Sequence, residues 1–110
     1  MKSFTYNITF VISHGDEARF LHYLRKELVP ALFNETTSAK DPQLRKVIES
    51  GGVKPSPGHG LSIAISATFA SEEDACQWFD NDFMSAADGF PLKFGKDSVF
   101  FATLLQNLTV

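Results

Sequence analysis

The sequence predicts one α+β domain, in which two helices cover one face of a single sheet. Two segments alternate between large apolar and small or polar residues, as half-buried strands do. Two further segments repeat apolar residues every three to four positions, as amphipathic helices do. The 110 residues suffice for one hydrophobic core and are too few for two of ordinary size. Residues 1–110 are therefore predicted to form one domain.

The composition argues against several classes of protein. Hydrophobic residues make up 44% of the chain and charged residues 21%, which disfavours both disorder and a membrane span. The formal net charge is -3 and no basic run exceeds two residues, so the positive face that nucleic-acid binding requires is missing. No signal-peptide pattern is visible before the first strand. We therefore expect a cytoplasmic protein that binds neither nucleic acid nor membrane.

The first predicted strand occupies residues 4–12. One side carries Phe4, Tyr6, Ile8, Phe10 and Ile12, and the other carries Thr5, Asn7, Thr9 and Val11. Successive side chains of a strand point to opposite faces of its sheet. The pattern therefore predicts one core face and one largely polar face.

The first predicted helix begins at Asp16, whose carboxylate can accept hydrogen bonds from the first turn. Phe20, Leu24 and Leu28 then recur every four residues. Pro30 has no N–H group, so we expect the helix to kink or end just before it.

The middle of the chain predicts a hairpin. Residues 44–49 indicate a short edge strand, and residues 51–60, which are rich in Gly and Pro, indicate a long loop. Residues 61–70 predict a second alternating strand. Its large side is Leu61, Ile63, Ile65, Ala67 and Phe69, and its small side is Ser62, Ala64, Ser66, Thr68 and Ala70.

The last third predicts a helix followed by a strand. Ser71 and Asp74 form a capping box, and Gly89 marks the end of the helix. The expected buried stripe of this helix is Ala75, Phe79, Phe83 and Ala86. Residues 99–108 are apolar on both faces, as in a strand covered on both sides. The order βαββαβ predicts a ferredoxin-like sandwich, with a four-stranded antiparallel sheet and both helices on one face.

The helix-free face of this sheet is the candidate ligand-binding or interface region. Its two well-patterned strands carry small and mostly hydroxylic residues and no charge there, whereas a solvated face usually carries Lys, Glu or Arg. A face of small groups allows close approach of a second subunit, or of a ligand enclosed between two subunits. The candidate residues are Thr5, Asn7, Thr9, Ser62, Ser66 and Thr68.

No motif indicates a metal or a cofactor, and we predict neither. His14, His22 and His59 lack the spacing of a metal site on one helix, and Cys76 is the only cysteine. Residues 51–60 precede a strand, whereas a phosphate-binding loop precedes a helix. No catalytic residue is identified from the sequence.

Four short segments resemble a bacterial family called domain of unknown function 4286. They are residues 6–9 (YNIT), 26–32 (KELVPAL), 71–74 (SEED) and 100–105 (FFATLL). The resemblance implies a ferredoxin-like domain, similar to the subunits that pair as dimeric α+β barrels, and it supplies no function. Members often carry His where Leu28 stands and a basic residue where Ala102 stands, so a function that depends on either residue would be absent here.

Two classes of function follow from these expectations. The first is a homodimeric, non-catalytic module that binds a small molecule or a protein. The second is a cofactor-independent enzyme of the dimeric α+β barrel type, acting on a small apolar or aromatic metabolite. An enzyme needs a titratable group directed into a pocket, and the candidate face offers only hydroxyls and Asn7. The residues therefore favour the first class.

Overall fold

The computed structural model describes residues 2–48, 60–95 and 98–110. The elements are β1 (Ser3–Ile12), α1 (residues 17–32), β2 (Lys40–Lys46), β3 (Leu61–Phe69), α2 (residues 72–86), α3 (Phe90–Phe94) and β4 (Val99–Asn107). This order confirms the predicted βαββαβ arrangement and adds the short helix α3. The predicted loop at residues 51–60 lies outside the described residues, apart from Gly60.

The four strands form one antiparallel sheet in the order β2-β3-β1-β4. The two well-patterned strands, β1 and β3, lie at its centre, while β2 and β4 lie at its edges. Both long helices pack on the same face, so the fold is the predicted ferredoxin-like sandwich.

The core lies between the sheet and the helices and is rich in aromatic rings. The ring of Phe10 lies at its centre, with centroids 5.1 Å from Phe20, 5.1 Å from Phe90 and 6.1 Å from Phe83. Tilted and edge-to-face contacts of this kind add to the stabilisation from apolar burial. The large sides of β1 and β3 face this core, as their alternation predicts.

The buried face of α2 differs from the predicted stripe. Its buried residues are Ala75, Trp78 and Phe83, whereas Phe79 and Ala86 are only partly buried. The cause is a π-helical stretch, Trp78–Phe83, in the middle of the helix. A π turn contains more residues than an α turn, so successive core positions there lie five residues apart.

A second π-helical stretch, Leu24–Leu28, interrupts α1. The N–H of Val29 donates to the carbonyl of Leu24, five residues earlier. Pro30 follows directly and cannot donate to Lys26, so the α-helical register is already broken there. A π-helical stretch therefore stands just before Pro30, where a kink or an end is expected, and the helix continues to Leu32.

The two helix starts use their acidic and hydroxyl residues differently. The Ser71 hydroxyl accepts a hydrogen bond from the backbone N–H of Asp74 at 3.1 Å, as the capping box predicts. Asp16 occupies the N-cap position of α1 as expected, but its side chain does not make the expected capping bond. Its carboxylate instead pairs with Arg19 at 3.1 Å.

Both edge strands depart from their predicted form. β2 begins at Lys40 rather than at residue 44, with irregular pairing between Lys40 and Gln43 that accommodates Pro42 at the sheet edge. β4 was expected to be covered on both sides. Within this chain its outward face is exposed, and Phe101 retains 63% of its accessible surface. The two helices cover only the opposite face of the sheet.

Candidate functional site

All six candidate residues lie on the helix-free face of the sheet. The antiparallel register of β1 and β3 sets Thr5 opposite Thr68 and Asn7 opposite Ser66. Thr9 and Ser62 extend the same surface along the two strands. Five of the six are partly exposed, and Ser66 is buried at 7% exposure. The sequence therefore places these residues together correctly, while their role stays a prediction.

Hydrogen bonds between neutral side chains organise this face. The Asn7 amide donates to the Thr9 hydroxyl at 3.4 Å. At one end, the amide of Asn107 on β4 lies 3.0 Å from the hydroxyl oxygens of both Ser3 and Thr5. The amide groups thus orient the hydroxyls without any ionised partner.

Arg45 on β2 also lies on this face, although the sequence pattern alone does not place it there. It lies opposite Ala64, and its Nη1 lies 3.4 Å from the Ser66 hydroxyl. The absence of charge therefore holds for β1 and β3 but not for the whole face, since Lys40 also lies opposite Thr68. Once the boundaries of β2 are known, its alternation predicts the position of Arg45, because Leu44 faces the helices and Arg45 therefore faces away from them.

β4 contributes an exposed apolar strip to the other side of the face. Val99, Phe101 and Leu105 lie opposite Val11, Thr9 and Thr5, and all three are exposed. The face thus has a cationic side at β2, a hydroxylic centre and an apolar side at β4. Contiguous exposed apolar residues bordered by polar groups are typical of interaction surfaces.

The face offers hydroxyl, amide and guanidinium groups that can form hydrogen bonds with a bound molecule. The strand residues that cross-strand pairing places on this face carry hydroxyl, amide, apolar and cationic groups. Asp41 lies in the irregular part of β2, between Lys40 and Gln43. In residues 2–48, 60–95 and 98–110, no three side chains of the metal-binding types are grouped to hold an ion. Across the described residues, no helix has both the length and the apolar character needed to cross a bilayer.

The two tyrosines with a shifted pKa lie on the helix-covered side. Burial raises the pKa of Tyr6, and the charges of Cys76 and Asp80 add to that effect. Burial also raises the pKa of Tyr23, with a further contribution from Glu27. The Tyr6 ring stacks on Phe79 at 4.7 Å, so it is part of the packing between β1 and α2 rather than of the candidate face.

Comparison with solved structures supports the fold alone, because the three structures described below are each less than 25% identical to this chain. A protein of unknown function from Nitrosomonas europaea has a TM-score of 0.67 and 14% identity, covering 100% of this chain and 93% of that chain. A dimeric ferredoxin-like protein from an uncultured marine organism has a TM-score of 0.66 and 12% identity, covering 100% and 99%. A candidate antibiotic biosynthesis monooxygenase from Nitrosomonas europaea has a TM-score of 0.61 and 7% identity, covering 96% and 90%.

No curated protein matches this sequence. The family model described as Domain of unknown function (DUF4286) matches residues 3–108. That match extends from the first residue of β1 to just beyond β4, so it includes every strand and helix described above. The chain therefore belongs to the family Domain of unknown function (DUF4286).

Proposed function

We propose that the protein is a homodimer that pairs through its helix-free face and acts as a non-catalytic module for binding a small molecule or a protein. The observation that carries this proposal is the position of Phe101. Its ring is 63% exposed on the same face as the small hydroxyl residues of β1 and β3. A second copy of the face would remove this ring and its apolar neighbours from water.

The size of the face supports pairing with a second copy. Four strands about 4.8 Å apart and about 30 Å long have a projected area of roughly 570 Å². The accessible area of a surface covered by side chains exceeds its projection. The accessible area of this face is therefore comparable with the roughly 800 Å² that each partner buries in a standard interface. Two-fold pairing is the commonest symmetric assembly, and the ferredoxin-like protein from the marine organism is dimeric.

The centre of the face suits a binding site between the two copies. Ala64, Ser66 and Thr9 have short side chains, so two such faces leave space at their centre while the larger residues of β4 make contact. Arg45 adds a cation at the border of that space. A bound molecule would meet hydroxyl and amide groups and one guanidinium from each copy.

The alternative is a cofactor-independent enzyme of the dimeric α+β barrel type, acting on a small apolar or aromatic metabolite. Two fold neighbours favour it, namely the candidate antibiotic biosynthesis monooxygenase and a candidate monooxygenase from Shewanella loihica. Against it stands the chemistry of the helix-free face, whose described positions carry no group that titrates near neutral pH.

Light scattering on a double variant tests the proposed dimer. Thr9→Arg with Ser66→Arg places two charges at the centre of the face, so a dimeric parent should become monomeric at micromolar concentration. The matched control is Ala18→Arg with Gln77→Arg, on exposed positions of α1 and α2, and it should keep the parent's mass. Circular dichroism confirms that both variants are folded. A monomeric parent, or a double variant that stays dimeric, contradicts the proposal.

A further inference from the structure

A cleft of about 180 Å³ lies on the helix-covered side of the sheet, between α1 and the edge strand β2. Its lining residues are Glu17, Leu21, Arg25, Leu44, Arg45, Lys46 and Ile63. The proposed dimer uses the opposite side of the sheet. The cleft is therefore accessible whether or not that dimer forms.

The floor of the cleft is apolar. Ile63 belongs to the core, and Leu21 packs against the core from α1. Leu44, opposite Ile65 on the helix side of β2, remains 38% exposed. Ligand sites combine such concave apolar surface with a few polar groups that fix orientation.

Among the described residues, three cations line the cleft, and two of them, Lys46 and Arg25, differ in their partners. The Lys46 Nζ lies 3.2 Å and 3.1 Å from the two carboxylate oxygens of Glu17, so its charge is balanced across the cleft. Arg25 is exposed and makes no ion pair with any residue that the structure describes. The positions three and four residues from it on α1 are Leu21, His22, Leu28 and Val29, so none of its nearest helical neighbours carries a carboxylate.

Arg45 contributes less charge to the cleft than its presence in the lining suggests. Its guanidinium is directed to the Ser66 hydroxyl on the other side of the sheet, at 3.4 Å. Arg25 is thus the cation that remains available to a ligand within the described lining. One unpaired cation suits a ligand with one negative charge.

We propose that this cleft binds a small monocarboxylate with an apolar body about the size of one ring. The carboxylate pairs with Arg25, whose planar guanidinium matches carboxylate geometry in a two-bond fork. The apolar body covers Leu21 and Leu44. The cleft is well below the roughly 300 to 1,000 Å³ of sites for drug-sized ligands, so its ligand has few atoms.

Titration of the ¹⁵N-labelled full-length protein with benzoate tests this proposal by NMR. Benzoate should give saturable shifts at the amides of Leu21, Leu44 and Ile63. Benzamide has the same ring without the charge and acetate has the charge without the ring, so each should bind at least five-fold more weakly. Inorganic phosphate is the fourth probe. No saturation by benzoate, equal binding of benzamide, or stronger binding of phosphate would each overturn the proposal.

Two variants with opposite expected effects sharpen the test. Arg25→Gln should weaken benzoate binding at least five-fold, whereas the control Lys26→Gln, at the next exposed position of α1, should leave it unchanged. Glu17→Gln removes the carboxylate that holds Lys46, so benzoate should bind more tightly. Equal effects of the Arg25 and Lys26 changes, or weaker binding with Glu17→Gln, contradict the proposal. Mass by light scattering, measured in parallel, keeps this result separate from that on the dimer.

Discussion

The indole Nε1 of Trp78 donates a hydrogen bond of 3.0 Å to the backbone carbonyl of Leu32, the last residue of α1. The last carbonyls of a helix have no partner within that helix, so this buried bond satisfies a group that water cannot reach. It also joins the π-helical stretch of α2 to the end of α1. The single tryptophan is therefore a core residue that connects the two long helices.

Replacement of Trp78 by Phe should lower the free energy of unfolding by about 2 to 4 kcal/mol. The change removes the bond to Leu32, leaves that carbonyl unpaired and opens a cavity. Urea denaturation followed by far-UV circular dichroism measures the loss, because the variant has no tryptophan for fluorescence. Gln77→Ala, at the neighbouring exposed position, is the control. A loss below about 0.5 kcal/mol for Trp78→Phe would mean that the indole bond is not formed.

Replacement of Phe83 by Ala should lower the free energy of unfolding by about 3 to 5 kcal/mol. The ring is fully buried, with ring centroids 5.2 Å from both Phe79 and Phe100. Met84→Ala is the matched control, since Met84 is adjacent on α2 but 46% exposed, and it should cost less than about 1 kcal/mol. Chemical denaturation of both variants gives the comparison. Equal losses of unfolding free energy for the two variants would contradict the burial of Phe83 against the sheet.

Replacement of Ser71 by Ala should lower the free energy of unfolding by about 1 kcal/mol, because the N–H of Asp74 loses its acceptor. Ser85→Ala tests the same chemical change at an exposed position inside α2 and should be neutral or slightly stabilising. Thermal denaturation of the three proteins at one concentration measures the difference. A Ser71 variant as stable as the Ser85 variant would contradict a contribution from the cap.

The strand alternation predicted the centre of the sheet well because it depends on one local rule. Each side chain of β1 and β3 lies on the face that its position in the sequence indicates. The helix faces were less predictable, since Trp78 and Phe83 share the buried face of α2 through a π-helical stretch that separates them by five residues. That stretch is stabilised by contacts far apart in sequence, such as the bond to Leu32.

In the candidate site too, residues placed by the pattern of their own strand were predictable, whereas residues placed by pairing between strands were not. Thr5, Asn7 and Ser66 follow from alternation within their own strands. Arg45 reaches Ser66 only because β2 pairs beside β3, with irregular pairing near Pro42 that its sequence does not reveal. The exposure of β4 depends on its place at the sheet edge, and apolar residues on both of its faces do not distinguish an edge strand from a central one.

Replacement of Tyr23 by Phe should leave the protein as stable at pH 7, or more stable by up to about 1 kcal/mol. The Tyr23 hydroxyl is buried and has no hydrogen-bond partner among the described residues, so its removal abolishes a desolvation cost. Urea denaturation at pH 7 measures this. A loss above about 1 kcal/mol would mean that the hydroxyl has a partner.

The same variant should be less sensitive to alkaline pH. The pKa of Tyr23 is raised above 10.0 in the folded protein, first by burial and then by Glu27. The unfolded chain therefore loses this proton more readily. The resulting stabilisation is complete below about pH 10 and is lost as the pH rises through the folded-state pKa. Between about pH 9.5 and 11 the parent should lose more unfolding free energy than Tyr23→Phe. Parallel curves for the two proteins would contradict this.

Replacement of Phe101 by Asp should convert the proposed dimer to a monomer. The ring is 63% exposed on the helix-free face, opposite Thr9, so its replacement should not disturb the core of one chain. In the dimer, the new carboxylate would be buried against the apolar strip of β4, and the cost of removing this charge from water should favour the monomer. Met84→Asp, which changes an apolar residue that is 46% exposed on α2, should leave the assembly intact.

Mass by light scattering gives the first measurement, and the dependence of Tm on concentration gives the second. For a dimer whose folding and association are coupled, Tm rises with protein concentration. The parent and Met84→Asp should show this rise between about 1 and 100 µM, whereas Phe101→Asp should have a constant Tm. If Phe101→Asp keeps the parent's mass, the interface does not include the apolar strip of β4. If the parent's Tm does not depend on concentration and its mass is that of one chain, the proposed dimer is wrong and the Phe101 ring is exposed to solvent.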